Sequence, residues 1–208
     1  MDDPNQILPL GEENTSITPE GFGFSSPVSR VIDIANRNGG YYKAKESNVV
    51  TDVMDEITNG MADVALVFED DNGDGSNEYG KIKGIFTESD YIKFSMERAT
   101  ASSSEEESAK YLISPVKDYI TPIQDVIALN KDDTVNIAIA AMKQANVRHL
   151  VVVDVADMCG IDDEEKCKLQ ASDIVGVINM QDVMSVVQKD ERLSLQSIAL
   201  KYPGIRNP

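Results

Sequence analysis

The sequence predicts a mixed α/β (α+β) fold in which two tandem β-α-β-β-α repeats pack as one pseudo-twofold unit. Three observations predict it. Val50, Val53, Met54 and Ile57 are spaced i, i+3, i+4, i+7, the apolar stripe of one helix, and Val135, Ala138, Ile139 and Met142 repeat that spacing. Each stripe is followed by a β-rich run, Val64-Ala65-Leu66-Val67-Phe68 in the first half and Leu150-Val151-Val152-Val153 in the second. Each run leads through an acidic loop to a further strand ending in a matched corner, Gly84-Ile85-Phe86-Thr87-Glu88-Ser89-Asp90 and Gly176-Val177-Ile178-Asn179-Met180-Gln181-Asp182. Polar residues at the same strand-to-helix corner of both repeats point to two related binding sites.

Residues 1–24 are polar, acidic and contain Gly and Pro, so they read as a tail without a core pattern. The first repeat is expected over 25–97. It opens on Ser26-Pro27-Val28, with Ser26 as the expected N-cap of a short helix and Pro27 in the first turn, where its missing N–H is tolerated. That helix should end near Asn38-Gly39-Gly40, before an extended stretch at 41–45. Ser47 or Asn48 is then placed to cap the striped helix. Strands at 64–68 and 81–86 and a corner helix at 89–96 complete the repeat. Residues 98–112 read as a linker built on a Ser/Glu run. The second repeat is expected over 113–190. Ser114-Pro115-Val116 mirrors the first opening, Asp132 or Asp133 is placed to cap its striped helix, and strands at 150–153 and 173–178 lead to a corner helix at 181–187. Residues 191–208 read as a C-terminal helical tail that stops at Tyr202-Pro203-Gly204. The hairpin loops at 69–79 and 155–172 occupy equivalent positions and should project near one another.

A repeat of roughly 70 residues is marginal as a lone core, so the two halves should share one. The formal charge of −17 over 208 residues argues against nucleic acid as a partner, because phosphate binding needs clustered Lys and Arg. It equally disfavours an anionic membrane surface. A basic partner protein and a plain solubility role both remain compatible with the acid. No apolar run approaches the ~20 residues of a membrane helix, so no insertion is expected. Met1-Asp2-Asp3-Pro4 has neither the basic start of a signal peptide nor the bias of a transit peptide. Two cysteines are too few for a disulfide scaffold, which fits a soluble intracellular protein.

The β-α-β-β-α pattern closing on Gly-h-h-Thr-x-x-Asp (h is hydrophobic) resembles the cystathionine-β-synthase, or CBS, domain. Two in tandem resemble a Bateman module over about residues 25–190. The corner at 84–91 carries the likeness, and so does Asn146-Val147-Arg148-His149-Leu150-Val151-Val152-Val153-Asp154, with Val151 where the family often has proline. With little else in the chain, it is similar to the small stand-alone CBS-pair proteins of plants and algae. The resemblance implies a non-catalytic regulatory module that binds an adenine nucleotide (AMP, ADP, ATP or S-adenosylmethionine) between its repeats. It further implies a partner protein, such as a thioredoxin or an organellar enzyme complex, and residence in the plastid stroma or mitochondrial matrix, with the cytoplasm as the alternative. Two modules are expected to associate as a homodimer unless a partner occupies that face. The alternative reading is a structural or interaction subunit of a larger assembly whose nucleotide sites have degenerated.

In the family the corner Thr and Asp hold ribose and phosphate, which assigns Thr87 and Asp90 to the first site. A carboxylate accepts from both ribose hydroxyls, and a helix N-terminus favours phosphate. Thr-x-x-acid ahead of a helix is also a capping-box pattern, so these residues alone leave both readings open. The second corner has Asn179 in place of Thr and keeps Asp182. Arg148 and the single histidine, His149, match a position where some members set basic side chains against phosphate; a solvated pair at the turn is the other reading. Lys43 and Ala44, with Ile127 and Ala128, match the extended segments that line adenine. Asp70, Asn72 and Asp74 open like a calcium loop, but Lys81 sits where the bidentate Glu belongs, so no metal is expected. Cys159 and Cys167 share a loop and could close a redox-sensitive disulfide, although the acids between them disfavour the thiolate. No catalytic constellation is visible, and the chain reads as a non-enzyme.

Overall fold

Helix, strand and corner recur in both halves of the computed structural model, which describes residues 22–60, 62–70, 79–101, 110–111, 113–155 and 168–201. The first half contributes α1 (Ser29–Ala35), β1 (Tyr41–Lys45), α2 (Val50–Gly60), β2 (Val64–Phe68), β3 (Ile82–Phe86) and α3 (Glu88–Ala101). The second contributes β4 (Thr121–Pro122), β5 (Ala128–Asn130), α4 (Val135–Ala145), β6 (His149–Val153), β7 (Ile174–Asn179) and α5 (Met180–Lys201). They form two sheets, ordered β1-β2-β3-β4 and β5-β6-β7. In each, a parallel pair (β1 with β2, β5 with β6) is extended by an antiparallel one (β2 with β3, β6 with β7). The repeat survives to single residues. Gly84 faces Val67 and Gly176 faces Val152, and in both hairpins the register slips at the next residue, Phe68 or Val153.

The halves do not merely touch. Each opening Ser-Pro-Val hooks onto the start of the other half's striped helix. Val28 N–H donates to the Asp133 carbonyl at 2.7 Å, and Val135 N–H donates to the Ser26 carbonyl at 2.8 Å. Reciprocally, Val116 N–H donates to the Asn48 carbonyl at 2.7 Å and Val50 N–H to the Ser114 carbonyl at 3.0 Å. Pro27 and Thr134 therefore bridge in the same way as Pro115 and Val49. The first amides of both striped helices, orphans in an isolated helix, are satisfied by backbone from the opposite half.

This exchange corrects three capping expectations. Ser26 does not cap α1, whose N-cap is Val28 without a side-chain bond; the Ser26 side chain is buried and hydroxyl-bonded to Asp190. Asn48 accepts from Lys45 N–H and so closes the turn before α2 instead of capping it, while Ser47 bonds Asp70. Thr134 caps α4 by accepting from Ile137 N–H, and Asp133 instead accepts from Asn130 N–H. The corner helices also run longer than expected, to Ala101 and Lys201. Nothing between 187 and 193 breaks α5, because its inward Asp190 has a partner.

Three clusters make the core. Residues of α1 (Val28 ahead of it, Val31, Ile32, Ala35) pack with Leu129, Leu150, Ile178, Val183 and Val187 of the second half. The lead-in to the second half returns the exchange, placing Val116, Tyr111 and Tyr119 with Val50, Val53, Phe86 and Phe94. Phe94 meets the Tyr119 ring edge-on at 4.9 Å and the Tyr111 ring at 5.9 Å. Between the sheets lies a common layer of Leu66, Phe68 and Ile82 against Val151, Val153 and Val177, so the halves do share a core. The two hairpin loops also meet at their bases, where Ile82 N–H donates to the Leu169 carbonyl at 3.0 Å and Lys81 bridges Gln170. Among the described residues, no helix is long and apolar enough to cross a membrane.

Two features hold these layers in place. A Cβ on Gly84 would lie 2.1 Å from the Thr121 carbonyl oxygen of β4, so only glycine lets the second half's lead-in reach this sheet. At the other end, Asp190 on α5 is fully buried and accepts from Gly23 N–H, the Ser26 hydroxyl and both terminal nitrogens of Arg30. Burial pushes its carboxyl up, but Arg30, Gly23 and Ser26 outweigh that and hold it below the usual carboxylate range.

Gly84→Ala should lower unfolding stability in urea by about 3 kcal/mol, since backbone must shift; a change within experimental error would contradict the close approach. Asp190→Ala should cost about 3 kcal/mol, the lower end for a buried pair because Arg30 is partly exposed. The Asp190 contribution is present above the ordinary carboxylate pKa and is lost as pH falls through the depressed one. Acid unfolding of the Asp190→Ala protein should therefore be shallower below about pH 4.

Candidate functional site

The corner helices α3 and α5 begin side by side, and a cleft of about 730 Å³ opens between their first turns. Thr87, Glu88, Ser89, Asp90 and Lys93 form one wall; Asn179, Met180 and Gln181 form the opposite one. Asn146, Arg148 and His149 enter at the approach to β6 and Ile127 just before β5, Ala62 and Asp63 just before β2, and Thr121 and Asp125 from the exchanged lead-in. Asn146 explains the approach of Arg148. It ends α4 in the left-handed conformation (φ 53°) and donates its N–H to the Met142 carbonyl, turning the chain directly into β6.

The first corner is built around Asp90, which is buried. Its Oδ2 accepts from Thr87 N–H at 3.0 Å and from the Thr87 hydroxyl at 2.8 Å, and its Oδ1 receives Lys93 at 3.2 Å. The backbone contact is the N3 half of a capping box, so the helix-capping role is present in this structure. Because Thr87 spends its proton on Asp90, its remaining hydroxyl capacity is to accept. One of roughly four acceptor positions on the carboxylate also remains unused.

The second corner differs in its partners. Asn179 and Asp182 make a complete reciprocal box, Asn179 N–H to Asp182 Oδ2 at 3.1 Å and Asp182 N–H to Asn179 Oδ1 at 3.0 Å. Asn38, from the turn after α1, donates to Asp182 Oδ1 at 3.0 Å. The Asn179 amide donates to Asp63 across the cleft. Asp182 is thus buried, and it does not line the cleft.

Electrostatically the cleft is uneven. It carries Asp63, Glu88, Asp90 and Asp125 against Lys93 and Arg148. Lys93 is paired with Asp90, whereas Arg148 is exposed and forms no salt bridge among the described residues. Burial pushes the His149 imidazolium toward losing its proton; Arg148 adds to this, while Asp63, Asp182 and Glu88 oppose it.

Of the residues singled out in the sequence, Thr87, Asp90, Ile127, Arg148, His149 and Asn179 line this one cleft. Lys43, Ala44, Ala128 and Asp182 do not. Ala44 is fully buried against α2 and its cluster, Lys43 lies over the Tyr79 ring at 5.6 Å, and Ala128 is paired within its sheet. Asp70 accepts from Ser47; Asn72 and Asp74, and likewise Cys159 and Cys167, lie outside the described residues. No metal-binding cluster of His, Cys, Asp and Glu occurs among the described residues. Sequence reasoning passed over Asp63, Thr121 and Asp125. Asp63 was findable, since it precedes β2 by the offset at which Arg148 precedes β6; Thr121 and Asp125 arrive by exchange and have no local signal.

Comparisons with known proteins agree with this geometry. Residues 116–189 match the family model for the CBS domain. No curated protein sequence matches the chain. Among solved structures, a protein with CBS domains from Burkholderia ambifaria MC40-6 is 19% identical with a TM-score of 0.52, covering 79% of this chain and 96% of that one. A CBS domain protein from Pyrobaculum aerophilum complexed with AMP is 15% identical, TM-score 0.51, covering 78% and 98%. CBSX2 in complex with AMP is 15% identical, TM-score 0.51, covering 80% and 98%. The chain has the fold of a tandem CBS pair, the Bateman module, and its second half matches the CBS domain model.

The neutral His149 gives a pH test. An unfolded histidine takes up a proton below about pH 6.5, and the folded one resists, so stability falls as pH drops through that value toward the depressed folded pKa. Between pH 7.5 and 5.5, the melting temperature should fall more for the parent chain than for His149→Gln. Equal slopes would contradict the desolvated placement.

Proposed function

We propose that this protein is a non-catalytic regulatory module that takes an adenine nucleotide in the cleft between its repeats and thereby changes its hold on a partner protein. The observation that carries the reading is Arg148, an exposed cation without a salt bridge among the described residues, lining the same cleft as the Thr87–Asp90 corner. The residues fit such a ligand. Arg148 and the Ser89 hydroxyl supply donors for phosphate, the N-terminus of α3 favours the same charge, and Asp90 and Thr87 retain acceptor capacity for ribose. Ile127 and Val126 offer apolar surface for a base. Four carboxylates around the one guanidinium that lines the cleft favour a monophosphate over a triphosphate. The AMP complexes of the Pyrobaculum protein and of CBSX2 support the same ligand class.

Ligand binding becomes regulation only if it differs in strength between two conformations. Ile92 and Met96 on α3 and Met180 and Met184 on α5 are exposed on the two helices that begin at the cleft and offer apolar surface to a second copy or a partner. A second reading, an interaction subunit with degenerate sites, is favoured by the self-bonded second corner. Residence in an organelle and a thioredoxin or enzyme-complex partner are part of the proposal through the family likeness.

Calorimetry with AMP, ADP, ATP and S-adenosylmethionine tests the reading. AMP should bind with a Kd below about 1 mM, more tightly than ATP. Arg148→Ala should weaken AMP by about tenfold or more, the loss of a charge-assisted contact. No measurable binding of any of the four would leave the interaction-subunit reading.

A further inference from the structure

We propose that the cleft takes one ligand per chain, because its second half-site is already filled by the protein's own carboxylate, Asp63. This rests on the nucleotide reading of the same cleft. The registers define the internal equivalence. Gly84 faces Val67 and Gly176 faces Val152, so four residues back along β2 and β6 Asp63 stands where Arg148 stands. Three residues on from each glycine, Thr87 corresponds to Asn179. The pseudo-twofold that carries Asp63 onto Arg148 therefore carries Asn179 onto Thr87.

The two half-sites have opposite character. Asp63 from the first half receives the Asn179 amide at the N-terminus of α5, across the boundary between repeats. The equivalent place opposite Thr87, at the N-terminus of α3, is held by the cation Arg148. At the N-terminus of α3 the carboxylates Glu88 and Asp90 are set against two cations, Lys93 and Arg148, whereas at α5 Asp63 and Asp182 form no salt bridge among the described residues. A second phosphate would meet repulsion at α5. The carboxylate behind Asn179 is also withdrawn, since Asp182 is bonded to Asn38 and does not line the cleft, whereas Asp90 does. Asp63 thus acts as an internal stand-in for the anion. The duplication has become one anion-accepting half-site and one self-occupied half-site. Orientation follows: the phosphate goes to the Arg148 side.

The stoichiometry of AMP binding, by calorimetry on the full chain at pH 7.5, tests this. The parent chain should bind one AMP, and Asp63→Arg, which gives the second half-site the cation of the first, should bind two. Asp63 is exposed, and thermal unfolding checks that the variant remains folded. In the Asp63→Arg background, Arg148→Ala should return the count to one. Two AMP bound by the parent chain would overturn the inference while leaving the nucleotide reading intact, and so would a folded Asp63→Arg that still binds one. No AMP bound by the parent chain would overturn the nucleotide reading, and this inference with it.

Discussion

Four backbone hydrogen bonds across the pseudo-twofold axis organise the molecule. Ser26-Pro27-Val28 and Ser114-Pro115-Val116 each give a carbonyl to, and take one from, the residues that begin the opposite half's striped helix. A helix start needs partners for its first amides, and here the first amide of each striped helix, Val50 or Val135, finds its partner in the other half. The exchange does more than satisfy polar groups. It carries α1 onto the second sheet and Tyr111, Val116 and Tyr119 onto the first, so each half completes the core cluster of the other. Roughly 70-residue units that would be marginal alone become one structure.

The cleft is a consequence of that interlock. Because β4 comes from the second half and lies against Gly84, Thr121 and Asp125 are delivered to the wall beside the Thr87 corner. Because the halves face one another about a twofold, both corner helices present their N-termini to one space. That space is symmetric in backbone and asymmetric in charge. A duplicated backbone with diverged side chains is how a fold can keep its packing while its two half-sites take different roles. The changes lie in exposed residues, Asp63 and Arg148, whose substitution leaves the core untouched.

Much of the fold was legible because it rests on periodicity: stripes of 3.6 for α2 and α4, fully apolar runs for β2 and β6, and a glycine at a fixed place in each second strand. The exchange was not legible. Its bonds run between main-chain groups, and the matched Ser-Pro-Val openings say that two hooks exist without saying whether each closes on its own half. The expected caps at Ser26, Asn48 and Asp133 failed for that reason. These side chains were free to take other partners once backbone from the opposite repeat had served the helices. At the site, corner residues and the Arg148-His149 step could be read because the first follow strand ends and the second opens a strand. Lys43, Ala44 and Asp182 could not be sorted from the cleft residues, since which face of a strand or corner is covered depends on the layer packed over it. Asp63 could have been found by laying one repeat on the other, residue by residue.

The most direct test of this account is a crystal structure of the chain grown with AMP. It predicts one nucleotide per chain in the cleft between α3 and α5, its phosphate against Arg148 and its ribose at the Thr87–Asp90 corner, with the Asp63–Asn179 contact retained. A nucleotide seated on Asn179 with Asp63 displaced, or one bound away from this cleft, would contradict it.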